Sequence, residues 1–265
     1  MNPNPLVFAH RGGADALPEH TLAAYLRAIA DGADGLECDV RLTRDGHLVC
    51  VHDRRLDRTS NGRGLVSAKT LAELDELDFG SWHPGASEPP PDEPPDPDLT
   101  RLLTLDRLLE SLREIGRPVR LLIETKHPSR YGAEVERRLV DLLRRHGLTD
   151  PAPEVGVAVT VMSFSALALR RIRALAPALP TVYLLEIPPP GVGRGKLPFG
   201  ARIGGPSIGL SRARPGLIRS LRGAGHQIYV WTVNDGRDLD LVLELGVDGV
   251  ITDRPRYVMD RITKM

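Results

Sequence analysis

Short apolar runs recur along the chain at Leu6–Ala9, Gly35–Val40, Leu48–Val51, Arg120–Ile123, Val157–Met162, Thr181–Leu185, Gln227–Trp231 and Gly249–Thr252. Each reads as a buried strand. Between most of them lie segments with helical spacing of apolar positions, such as Thr21–Ala30, Leu105–Ile115, Glu134–His146, Ser165–Ala176, Pro215–Ala224 and Gly236–Leu245. Alternation of this kind predicts parallel strands with crossover helices, and eight strands predict closure: an α/β fold, a TIM-type (β/α)8 barrel.

Two places break the rhythm. Between the second and third strands only Thr43-Arg44-Asp45-Gly46-His47 intervenes, and Asp-Gly signals a two-residue hairpin with no room for a helix. The barrel is therefore expected to be irregular at strands 2 and 3. The second break runs over 54–100, where Leu56–Phe79 reads as a small inserted subdomain and Pro84–Pro97, rich in Pro, Asp and Glu, as an exposed and partly disordered loop. A Gly/Pro-rich loop is expected at Pro188–Pro206, with an extra short strand at Ser207–Leu210.

Composition narrows the function. A chain of 265 residues suits one barrel domain spanning 1–265, since such barrels need about 250 residues. Lys+Arg and Asp+Glu balance at 35 each, which leaves no basic field for nucleic acid or an anionic membrane. A small-molecule partner is expected. No stretch approaches the ~20 apolar residues of a membrane span, and Met1 leads to a strand without an apolar leader, so no membrane anchor and a cytoplasmic location are expected. Side-chain parity points Cys38 away from the face that Cys50 shares with His52, which predicts two free thiols.

The candidate chemistry gathers at strand ends. Glu37 and Asp39, two apart on one strand, project to one face, where like charges repel unless a cation joins them. Glu124 ends another apolar run and adds a third carboxylate. Oxygen donors of this kind favour a hard divalent ion such as Mg²⁺, Ca²⁺ or Mn²⁺. A two-residue turn at Asp45-Gly46 would set His52 directly across from Asp39. A lone histidine ending a strand is more often a hydrogen-bonded core residue, yet His10 occupies the same place on the first strand, and paired imidazoles suit general acid and base. Arg11 and Lys126 offer positive charge to a phosphodiester; Lys126 is one of only four lysines in the chain. Trp231, ending a strand, offers a pocket wall. His20, His47, His83, His127, His146 and His226 belong to no such constellation and read as structural or exposed.

In their order, His10-Arg11-Gly12, Pro18-Glu19-His20-Thr21, Glu37-Cys38-Asp39-Val40, Thr43-Arg44-Asp45-Gly46, His52-Asp53, Glu124-Thr125-Lys126, Trp231-Thr232-Val233-Asn234 and Ile251-Thr252-Asp253-Arg254-Pro255 resemble the glycerophosphodiester phosphodiesterase family over nearly the whole chain. The resemblance implies a TIM-type barrel with a small insertion after strand 3, a divalent metal on Glu37, Asp39 and Glu124, and His10 and His52 as the acid/base pair. One departure stands out: the family usually carries asparagine where this chain has His20, so Thr21 is expected to cap the following helix.

The implied reaction is metal-dependent hydrolysis of a glycerophosphodiester to glycerol 3-phosphate and an alcohol such as choline, ethanolamine or glycerol. The alternatives are a lysophospholipase D and a phosphodiester lyase that stops at a cyclic phosphate. From other classes, a non-catalytic binding module would lack a histidine, and a sugar-phosphate isomerase would need no three-carboxylate site.

Overall fold

The structure is a computed structural model that describes residues 4–85, 96–150 and 156–264. Eight parallel strands close a barrel: β1 (Leu6–His10), β2 (Gly35–Leu42), β4 (Val119–Thr125), β5 (Val157–Ser163), β6 (Thr181–Leu185), β7 (Ile203–Pro206), β8 (Gln227–Val230) and β9 (Gly249–Thr252). The β1–β2 pairing closes the ring. A ninth strand, β3 (Leu48–Cys50), lies outside it, antiparallel to the far end of β2.

Helices follow the expected segments closely, and several starts are local in origin. Thr21 accepts from the Ala24 amide and begins helix Leu22–Ala30; Thr104, Ser165 and Asp235 cap helices Leu105–Arg113, Ala166–Leu175 and Gly236–Glu244 in the same way. The apolar stripes of these helices pack on the outward residues of the strands, for example Leu108 and Leu112 with Leu121 and Ile123. Inward residues of the opposite parity fill the barrel: Phe8, Leu122, Met162, Leu184, Tyr229 and Ile251 among them. Gly35 is required here, because a Cβ on it would stand 2.7 Å from the Phe8 ring.

The strand count was right and its membership was not. Leu48–Val51 is no stave of the barrel, and the missing stave is Ile203–Pro206, inside the stretch expected to be a loop. Ser207–Leu210 is not a strand either; Ser207 caps helix Ile208–Ala213. The hairpin register also differs. Thr43 pairs with His47 around a three-residue turn whose last residue, Gly46, has φ +87, so Val40 faces Cys50 and Val51, not His52, donates to the Asp39 carbonyl. That one-residue shift puts Cys38 and Cys50 on the same outward face, buried as free thiols in one cluster, contrary to the parity expected for them.

Residues after β3 form a small satellite core in which Leu56, Val66, Leu74, Phe79 and Leu102 pack on Val49 and Val51. It includes a 3-10 turn Val66–Ala68 and short helices Leu71–Asp75 and Pro97–Thr100. Most of the proline-rich stretch, 86–95, lies outside the described residues. Among the described residues no helix is long and apolar enough to cross a membrane.

Candidate active site

The inward parity that fills the barrel continues at its C-terminal end, where polar residues replace apolar ones, His10 above Phe8, Glu124 above Leu122 and Asp253 above Ile251, while Trp231 stands above Tyr229. The strand register sets His10 beside Glu37 and Asp39 beside Glu124. These residues ring the carboxyl end of the strands, where barrel enzymes carry their chemistry.

Glu37, Asp39 and Glu124 are all buried, and one carboxylate oxygen from each lies within 4.8 Å of the others. Three anions so close inside a protein are costly. Burial and then Asp39 push the Glu37 carboxyl well above its ordinary range, and the same two causes push Glu124 up to about 8. Asp39 goes the other way: against burial, Lys126 and His20 hold it well below the carboxylate range. Lys126 Nζ bridges Asp39 at 3.2 Å and Glu124 at 2.8 Å, and Arg11 Nε lies 3.3 Å from Asp39, buried without a hydrogen-bond partner. Two cations against three carboxylates leave the cluster short of positive charge, and its hard oxygen donors fit a divalent metal ion.

Both expected histidines face this cluster, each backed by an aspartate. His10 Nδ1 is 2.6 Å from Asp253, and His52 Nδ1 is 2.7 Å from Asp53. With Nδ1 committed to a carboxylate, Nε2 is the free nitrogen of each ring, and His10 Nε2 stands 3.9 Å from Glu37. Burial, despite Asp39, and then the neighbouring Arg11 and Lys126 lower His52 to about 4. Asn234 fixes Asp253 from both sides, donating to its carboxylate and accepting from its amide.

Arg11 adopts the left-handed region, φ 51, with its amide on Glu37 and its guanidinium on Glu19 at 3.1 Å. The turn is tight: Gly12 follows at φ +91, and a Cβ there would meet Ala24 at 2.9 Å. Arg58 clamps Glu19 with two nitrogens at 2.8 Å and reaches Asp53 at 2.7 Å. A chain of ion pairs thus runs from Arg11 through Glu19 and Arg58 to Asp53 and His52. Glu19, Asp53 and Asp253 stood in the resembling segments without a role and Arg58 was not singled out, although the inward parity of Ile251 and the adjacency of Asp53 to His52 carried a signal.

His20, read as structural or exposed and outside the constellation, is buried and touches the carboxylate cluster. It sits at φ 62, accepts from or donates to the Tyr25 hydroxyl at 2.7 Å and bonds Asp39 Oδ2 at 3.0 Å. Of the other five, His127 pairs with buried Glu136, and His226 meets the Gly195 carbonyl.

His10, Arg11, Glu37, His52, Glu124 and Lys126, with Glu186 and an apolar wall, enclose a cavity of about 280 Å³; Asp39 does not line it. Trp231 forms part of that wall, its indole held by the Gly205 carbonyl at 2.7 Å and edge-on to Phe164 at 5.4 Å. Met162, Leu184 and Ile251 complete it. A larger cavity of about 360 Å³ behind Gly12 is lined in part by Asp253 but by none of the three carboxylates and by no residue of the smaller cavity.

Buried cations, aspartate-backed imidazoles and a carboxylate cluster short of positive charge at one barrel mouth fit the chemistry of a phosphoric diester hydrolase. Comparison with known proteins makes that class specific: the chain belongs to the glycerophosphoryl diester phosphodiesterase family, whose model matches residues 10–257. It is 49% identical over 252 residues to a protein named probable glycerophosphodiester phosphodiesterase 1 from Mycobacterium tuberculosis, covering 95% of this chain and 90% of that one. A Bacillus subtilis glycerophosphodiester phosphodiesterase is 34% identical, with 94% and 84% covered. The solved structure of an Oleispira antarctica phosphodiesterase in complex with the product sn-glycerol-3-phosphate superposes with a TM-score of 0.77 at 26% identity, covering 98% of this chain and 97% of that one.

Proposed function

We propose that this chain hydrolyses glycerophosphodiesters to glycerol 3-phosphate and an alcohol, acting as a single barrel domain that carries 54–100 as an insertion. The observation that carries the reading is the meeting of two aspartate-backed histidines with a three-carboxylate cluster at one cavity. The product bound to the Oleispira antarctica relative supports the same substrate class here.

Glu37, Asp39 and Glu124 would hold Mg²⁺, Ca²⁺ or Mn²⁺, which when bound polarises the phosphoryl oxygens and offsets charge that builds there. Arg11 and Lys126 orient the phosphodiester anion. Its negative charge also offsets the two cations that hold His52 down, which brings that imidazole toward its ordinary range. One imidazole Nε2 takes the proton of the attacking hydroxyl or water; the other returns a proton to the departing alcohol oxygen as the phosphorus–oxygen bond breaks. Asp53 and Asp253 fix each ring and stabilise the imidazolium as it forms. Trp231 and its apolar neighbours exclude water from one side. The balanced charge and the absence, among the described residues, of a spanning helix support a cytoplasmic enzyme with a small-molecule partner and no nucleic-acid ligand.

Phosphorus NMR on a panel of glycerophosphodiesters and one lysophospholipid tests the assignment. Release of glycerol 3-phosphate from the water-soluble diesters is expected. Turnover of the lysophospholipid alone, or release of the phosphorylated alcohol, would contradict it.

A further inference from the structure

Around the barrel the staves run β1, β2, β4, β5, β6, β7, β8 and β9, and the catalytic cavity divides along that order. His10 on β1, Glu37 on β2, Glu124 on β4 and Lys126 just beyond it bring the charged chemistry to one half. On the other half, Phe164 follows Met162, Glu186 follows Leu184 and Trp231 follows Tyr229, each at the next inward position of β5, β6 and β8. All three line the cavity, with Met162 and Leu184 below them.

Glu186 is the one acid lining the cavity outside the three-carboxylate cluster. Among the described residues it makes no ion pair and no side-chain hydrogen bond. A carboxylate without a partner is ordinary on an open surface, where water satisfies it. Beside the rings and methyl groups of a cavity wall it is not, because any part of a substrate that displaces that water must replace what the water gave. Hydrocarbon cannot do so. A cation meets the charge directly.

The rings narrow the choice of cation. Phe164 and Trp231 stand 5.4 Å apart at 89°, and two rings at right angles form a corner that shows a cation the face of each. The Gly205 carbonyl holds the indole at 2.7 Å, so the corner is preset. A primary ammonium brings three N–H donors that rings satisfy poorly; a quaternary ammonium brings none and suits two rings and one carboxylate.

We propose that Glu186, Phe164 and Trp231 form a head-group subsite selecting diesters whose alcohol carries a quaternary ammonium, with Glu186 as the residue that sets this specificity. The inference rests on the phosphodiesterase reading above and names a substrate class within it. With the phosphate between Arg11 and Lys126, the cationic end of such a zwitterion reaches the acidic and aromatic half of the same cavity.

The test compares kcat/KM for glycerophosphocholine and for its neutral isostere, in which a tert-butyl group replaces trimethylammonium, in the parent enzyme and in E186Q and F164L. Glu186 and Phe164 are exposed, so both variants are expected to keep the parent's thermal midpoint. At low salt the parent should prefer glycerophosphocholine about tenfold, the combined worth of a ring face and a partly exposed carboxylate to a cation. E186Q should lower that preference about threefold or more, and F164L, which keeps apolar area but loses the ring face, about twofold or more. A parent ratio near one, or a ratio that survives undiminished in either variant, would overturn the subsite. A parent that prefers the tert-butyl diester would assign the wall to hydrocarbon and overturn it equally. Failure of the parent to release glycerol 3-phosphate from either diester would contradict the underlying phosphodiesterase reading, which keeps the two outcomes distinct.

Discussion

His20 Nε2 lies 3.0 Å from Asp39 Oδ2, inside the barrel, while the other ring nitrogen meets Tyr25 at 2.7 Å. The Tyr25 hydroxyl has two acceptors in reach, His20 Nδ1 at 2.7 Å and the Glu37 carbonyl at 3.2 Å; when it donates to Nδ1, Nε2–H donates to the carboxylate and a neutral imidazole satisfies both ring partners. Asp39 is thereby oriented from a residue whose own backbone sits in the left-handed region. Replacing His20 by alanine removes one hydrogen bond from each of two buried partners and should cost roughly 1–3 kcal/mol in denaturant unfolding. Divalent-cation affinity, followed by calorimetry, should fall about tenfold or more. H20N, which tolerates the same backbone and can still donate, should lose less in both measurements. An H20A variant with parent stability and parent cation affinity would show that the contact orients nothing.

His52 should be neutral near pH 7 in the free enzyme. Its value of about 4 lies below the ordinary 6.5, so between those limits the unfolded chain binds the extra proton and stability falls as pH drops through that window. An NMR titration of the imidazole should give a midpoint near 4, and K126A, which removes one of the cations depressing it, should raise that midpoint. A parent midpoint at 6.5 would contradict the burial and charge environment described.

Arg58 should govern acid stability. Glu19 and Asp53 are both lowered to about 2, against burial, chiefly by their hydrogen bonds to Arg58. Depressed carboxylates contribute stability above their ordinary values and lose it as pH falls through about 2. Urea unfolding from about pH 5 to about pH 2 should therefore show a shallower decline in R58A than in the parent. Arg11 still contacts Glu19, so the slope should shrink rather than vanish. Identical slopes would mean that the Arg58 pairs are formed without affecting stability.

Much of this was legible in the chain. Strand-end parity brought out His10, Glu37, Asp39 and Glu124, because the period of two that buries Phe8 and Leu122 also aims the next residues at the mouth. The stave Ile203-Gly204-Gly205-Pro206 was hidden because glycine and proline usually mark loops. Here Gly205 answers a packing demand: a Cβ would stand 2.8 Å from both Val182 and Leu184. The turn at Asp45-Gly46 was seen, but not that Arg44 joins it, and that single residue moved the register of β3. Glu19, Arg58 and His20 meet the site through long-range folding of the β1 loop and the inserted segment, which no local spacing encodes.

The role of the Glu37–Asp39–Glu124 cluster is tested most directly by removing and restoring a divalent cation. After exhaustive chelation, release of glycerol 3-phosphate from glycerophosphocholine should fall to background. It should return on titration with Mg²⁺, Ca²⁺ or Mn²⁺, while D39N should need a markedly higher cation concentration for the same recovery. Full turnover by enzyme that elemental analysis shows to be free of metal, or a D39N titration that overlays the parent curve, would contradict the assignment.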